Sequence, residues 1–207
     1  MNQVLEGLLR ELDALDAEAQ RLAVEHSAAV LATRPAQGGW SVAECWEHVA
    51  KTVEAYLPKL DQATSTGRAA GLTGEGPYSY GLVGRFFLWI LEPPVRLKVP
   101  APAILHPGPV LDPGAALAEY LKQHQALRDR IRAAEGLDLG KVRVTSPASD
   151  KLKFPLGVGF EAMAAHGRRH AWQARQVLGK IKGSGFMERE TGFEPATSTL
   201  ARLHSTN

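Results

Sequence analysis

The sequence predicts an all-α protein, a bundle of long amphipathic helices, and three observations carry that reading. Leu5, Leu8, Leu12, Leu15, Ala19 and Leu22 alternate steps of three and four, the seam of a packed bundle helix. Ser41 and Glu44 stand at capping-box spacing just before a second apolar stripe. Met163, His166, His170, Ala174, Val177 and Ile181 repeat the pattern near the other end, so two imidazoles one turn apart lie on a face that should point inward. With 207 residues, 44% of them hydrophobic, the chain can bury one proper core.

Residues 2 to 33 read as a single helix, with Glu6, Arg10, Glu11, Asp13, Asp16, Glu18 and Arg21 on its outer positions. His26 has no partner at ligand spacing and reads as a surface or loosely packed histidine. Arg34-Pro35 and Gly38-Gly39 then break the chain. The helix capped by Ser41 is expected to run to about Thr66, with Val42, Cys45, Val49, Val53, Tyr56 and Leu60 inside. Trp40, just before the cap, is placed to staple against Cys45 or a nearby apolar residue, and Pro58 should kink or end the helix. His48 borders the stripe, and periodicity alone does not decide whether it turns inward.

Gly67 to Pro77 reads as a loop. Gly81 to Leu91 reads as a short, strongly apolar helix stopped by Glu92-Pro93-Pro94, well short of the roughly 20 residues a bilayer span needs. It is expected to be buried or to line an interface. Pro93 to Pro113 is too rich in proline for regular helix and should form an ordered crossing or a lid. His106 lies in it, a loop histidine that could approach a metal. Asp112 caps and Pro113 opens the next helix, with Leu117, Tyr120, Leu121, His124, Leu127 and Ile131 as its apolar face and Gly136 at its end. His124 is a rival ligand there, with a core or rim position as the better reading. Val142 to Phe154 is an extended connection, hairpin-like, and Phe154-Pro155-Leu156 launches a last helix that ends near Lys182-Gly183. Residues 183–207 show no stripe and are set apart from the 1–182 domain as a disordered tail, in which His204 receives no role.

The net charge is +2, with basic and acidic residues interleaved, which argues against nucleic acid as a partner. Cys45 is the single cysteine, so neither an internal disulfide nor a cysteine-based zinc site can form. The first ten residues lack the pattern of a signal peptide, and a cytoplasmic, membrane-free protein is expected. What remains distinctive is the histidine pair. Two inward imidazoles at i and i+4 can grip one metal ion as neutral nitrogen donors, provided the scaffold brings up a third ligand.

Trp40-Ser-Val-Ala-Glu-Cys-Trp-Glu-His48 on an early helix, with His166, His170 and Gln173 on the last, resembles the DinB/YfiT-like superfamily, and the resemblance covers about residues 2 to 181. It implies a four-helix bundle with a long crossover and an extra short helix between helices 2 and 3. It also implies a site of three histidines, His48, His166 and His170, for a divalent metal, zinc or nickel. The activities it implies are those of a thiol S-transferase, with a bacillithiol-, mycothiol- or glutathione-type thiol as cosubstrate, or of a hydrolase, acting on a small-molecule substrate. Relatives of this kind often form homodimers. Three protein nitrogens leave a position open, the pattern of catalytic rather than structural zinc. Glu44, one turn before His48, is a candidate to orient a ligand or act as a base, although its capping role ranks higher, and Gln173 is similarly placed. Two other functions stay open at this point: a bundle that binds metal or a small ligand without turnover, and a structural protein whose histidines fill its core.

Overall fold

Asn2 opens the first helix by accepting the Val4 and Leu5 N–H groups on its side-chain oxygen at 3.0 and 3.1 Å, which satisfies two donors the helix itself cannot. The structure, a computed structural model, describes residues 2–94, 97, 102–108 and 112–183. The tail after Gly183 lies outside the described residues. Helix α1, Gln3–Glu25, buries Leu5, Leu8, Leu12, Leu15, Ala19 and Leu22, the whole of the expected seam. It does not run on to residue 33. His26 takes an extended conformation, and Ser27 accepts the Val30 N–H to start a separate short helix, α2 (Ala28–Ala32), which turns Val30 and Leu31 into the core.

Helix α3, Val42–Ala69, begins with the expected capping box: the Ser41 hydroxyl accepts the Glu44 N–H at 3.2 Å, and the Glu44 carboxylate accepts the Ser41 N–H at 2.8 Å. Its predicted inner residues are all buried. Pro58 neither ends it nor shortens it. Pro58 and Glu54, whose carbonyl loses its intrahelical partner there, both face solvent, where water can take up the lost bond.

The long connection carries α4, Gly81–Leu91, and a turn of 3-10 helix at Ala103–Leu105. The expected burial of α4 holds for one side only. Phe87 stacks on Phe154 with ring centroids 4.6 Å apart, and Leu88 and Leu91 pack on the core. Leu82, Val83, Phe86 and Trp89 face outward, from 83% exposed at Leu82 to 48% at Trp89. Helix α5, Pro113–Ala133, is capped by Asp112 as expected. Its buried stripe, Ala116, Tyr120, Gln123, His124, Leu127, Arg128 and Ile131, is turned relative to the expected face, so that Leu117 and Leu121 are only half-buried. The turn brings Arg128 and His124 onto acidic residues of α1. Strands β1 (Arg143–Ser146) and β2 (Ser149–Pro155) form the antiparallel hairpin that the extended segment suggested.

Helix α6, Leu156–Gly183, completes the bundle of α1, α3, α5 and α6, with α4 laid against α6. No described helix is long and apolar enough to cross a membrane. Glycines on α6 let other elements approach closely. A Cβ on Gly157 would lie 2.6 Å from the Cε1 and Cζ of Tyr80, inside van der Waals contact, whereas Gly179 has nothing within 4 Å. Gly157→Ala should gain up to about 1 kcal/mol of helix propensity and lose about 1–3 kcal/mol to overpacking, a net destabilisation. Gly179→Ala should only gain. Urea unfolding of the two variants checks this, and an unchanged or raised midpoint for Gly157→Ala would show that the Tyr80 ring yields.

Candidate metal centre

Three imidazoles meet at the seam between α3 and α6. On α3, His48 follows Cys45 by three positions and precedes Val49, and the fold rotates it inward until 3% of it is exposed. On α6, His166 and His170 stand one turn apart on the stripe that ends in Val177 and Ile181. The ligand atoms of the three residues lie within 4.8 Å of one another. Their ring centroids are 5.0 Å apart for His48 and His166, 4.7 Å for His48 and His170, and 4.5 Å for His166 and His170. Zinc–imidazole bonds run to about 2.0–2.1 Å, so small ring rotations would bring all three onto one ion.

Hydrogen bonding distinguishes the rings. The Nδ1–H of His48 donates to the carbonyl of Leu105 at 2.7 Å, because a carbonyl can only accept. That leaves Nε2 of His48 with its lone pair. The Nε2 of His166 and the Nδ1 of His170 are buried without a hydrogen-bond partner. An unsatisfied buried polar atom costs about 1–3 kcal/mol, and two of them in one cluster with a third free lone pair is the arrangement a metal ion satisfies. The residues present therefore fit a divalent cation.

The surroundings keep the rings neutral. Burial pushes the His166 imidazole down to about 3, with His48 and Arg169 adding to the effect. Burial likewise holds His170 well below its ordinary value, joined by His166, His48 and Arg169 and opposed by Gln173 beside the ring. Burial lowers His48 too, against the Leu105 hydrogen bond, which works the other way. Neutral imidazoles are the form that binds metal.

Trp40, placed just before the cap, lies over the histidines. Its ring lies on His48 at 4.6 Å and stacks on His170 at 5.7 Å, and His106 approaches its edge at 6.2 Å. The Ser41 cap thus carries the preceding residue across His48 and His170. A cavity of about 10 Å³ also borders His170, lined by Leu15, Trp46, Val49 and Tyr120 among others, enough for one water.

The other candidates stand apart from the cluster. Glu44 is buried, but its carboxylate is taken by the Ser41 N–H and by Arg34, whose Nε lies 2.8 and 2.9 Å from its two oxygens. Burial raises that carboxyl, and the bonds from Arg34 and Ser41 more than offset it, so it stays below the usual range. His124 is fully buried and bonded through Nδ1 to Asp16 at 2.5 Å, between α1 and α5. His26 is half-buried and away from the centre. Leu105 could not have been found from the sequence, since its contribution is a backbone carbonyl.

A family model described as the DinB superfamily matches residues 11–174. The solved structure of YfiT from Bacillus subtilis, described as a probable metal-dependent hydrolase with an unusual four-helix bundle topology, is similar in fold. It aligns with a TM-score of 0.55 at 15% identity over 87% of each chain. No curated protein sequence matches.

The depressed imidazoles make a prediction for the metal-free protein. In the unfolded chain each ring protonates near 6.5, while folded His166 protonates only at about 3. Between those values the unfolded state binds more protons, so stability falls as pH falls, and above about 6.5 these groups contribute no slope. The unfolding midpoint should drop between about pH 6.5 and pH 5, and His166→Leu should flatten the profile. An equal slope in parent and variant would mean that the ring titrates as it does in water.

Proposed function

The chain belongs to the DinB superfamily, and from that premise we propose that it is a metal-dependent hydrolase of a small molecule, with His48, His166 and His170 as the ligands of a zinc or nickel ion. The observation that carries this is the pair of buried, unpartnered imidazole nitrogens on α6 facing a third ring on α3. Bound there, a divalent ion supplies Lewis-acid character and the activation of water at neutral pH. The chain's own residues do the rest. Neutral donors leave the ion its full charge, and three of them leave room for substrate. The Leu105 carbonyl holds the His48 ring in one tautomer. Trp40 keeps bulk water off one side of the histidines, which strengthens every electrostatic contact inside. Glu44 serves as helix cap and partner of Arg34 rather than as a base.

Metal content and turnover test this together. Protein purified without a histidine tag should carry close to one zinc or nickel per chain, lost in His48→Ala, His166→Ala and His170→Ala. The loaded protein should hydrolyse members of an ester and amide panel, and chelation should abolish the activity. The same open site would serve an S-transferase, so the panel is run with and without bacillithiol, mycothiol and glutathione. Turnover that needs the thiol reassigns the reaction. Stoichiometric metal without turnover leaves a binding bundle, and a parent that takes up no metal even after reconstitution sinks the reading.

A homodimer joined through the outer face of α4 belongs to the same proposal, supported by Leu82, Val83, Phe86 and Trp89 standing exposed on one short helix. Light scattering should give twice the chain mass, and Phe86→Ser with Trp89→Ser should halve it. A monomer mass for the parent at high concentration would end that part.

A further inference from the structure

Three contacts tie the segment from Pro102 to Gly108 to the histidine cluster. The Leu105 carbonyl accepts the His48 Nδ1–H at 2.7 Å. Next to it, the His106 carbonyl accepts from Lys51 Nζ at 3.1 Å, one turn further along α3. The His106 ring meets the edge of Trp40, which itself lies on His48 and His170. Within the segment the Leu105 N–H bonds the Pro102 carbonyl at 2.9 Å, and the His106 N–H bonds the Ala103 carbonyl at 3.1 Å. Ile104, in the same turn, is 85% exposed.

A neutral imidazole carries one ring proton. Placed on Nδ1 of His48, it bonds Leu105 and leaves Nε2 as a metal donor. Placed on Nε2, it strands the carbonyl and removes the donor. The proton position that fastens the segment is therefore the one that makes His48 a ligand. An ion on Nε2 locks that tautomer and, by drawing charge from the ring, makes Nδ1–H the stronger donor. Coupling of this kind is reciprocal: what the ion does for the segment, the segment does for the ion.

We propose that residues 102–108 are a strap that ion binding at His48, His166 and His170 fastens over the centre, and that the fastened strap in turn tightens the hold on the ion. The inference rests on the metal-centre reading above. Unfastening the strap gives up the hydrogen bonds from His48 and Lys51 and the edge contact with Trp40, and leaves the packing of α3 on α6 in place.

The test uses the full chain, with amide hydrogen exchange and calorimetry on the same preparation, and zinc or nickel salts as the probe. Metal should slow exchange at the Leu105 and His106 amides by about tenfold or more, and Lys51→Met should bind the ion about tenfold more weakly at unchanged stoichiometry. Lys51 is no ligand and its ion pair with Glu47 lies at the surface, so the variant should fold normally. Ion bound by calorimetry with exchange at those amides unchanged overturns the strap while leaving the metal centre standing. Equal affinity in Lys51→Met removes the reciprocity and overturns it as well. No heat of binding in the parent overturns both.

Discussion

The seam between α3 and α6 places three imidazoles, two buried and His166 half-buried, where an ordinary bundle would place apolar side chains, and the site depends on how the fold meets that constraint. An imidazole out of water loses the solvation of its charged form, so all three rings are driven neutral, and each then has a lone pair and one proton to dispose of. His48 disposes of its proton on Leu105. His166 and His170 leave buried nitrogens with no protein partner. Leu156, Val158, Phe160 and Val177 bury the same helix in the core. The core supplies rigidity, and the rings bear the cost of being desolvated.

A second polar device, between α1 and α5, shows the contrast. Asp16 accepts from His124 at 2.5 Å and from Arg128 at 2.6 Å, while the Arg128 Nε reaches Asp13 at 3.0 Å. Here each charge has a partner, and breaking such a buried pair costs about 3–5 kcal/mol. The device turns α5 so that Arg128 and His124 lie on the bundle side and Leu117 and Leu121 drift toward the rim. A histidine with a carboxylate beside it is a structural clamp. The three at the α3–α6 seam have none, and that difference separates the candidate centre from the rest of the interior.

The crossing between α3 and α5 gives the bundle its departure from a plain up-and-down arrangement. It carries α4 onto α6, where Phe87 stacks on Phe154 of the hairpin, and Arg168 of α6 bonds Glu92 at the end of α4. It then returns along α3 past His48. Its described part from Pro102 to Gly108 lies beside His48, where the Leu105 carbonyl accepts the ring N–H.

Much of this was legible in the sequence. The α1 seam, the Ser41–Glu44 capping box, the Asp112 cap, the hairpin and the inward placement of His170 all follow from spacing, because period and capping chemistry act over a few residues. The break at His26 was not legible, since the apolar pattern is compatible with continuing. The helix from Ser41, expected to about Thr66, does pass Pro58 and runs on to Ala69. The sequence by itself determined which helices form and that two histidines on the last of them face inward. Only the tertiary structure decided that His48 turns to meet them, that Trp40 lies across His48 and His170, and that His124 is taken by Asp16. Those outcomes depend on how far one helix is rotated against another, a quantity set by the packing of all the side chains between them and carried by no local pattern.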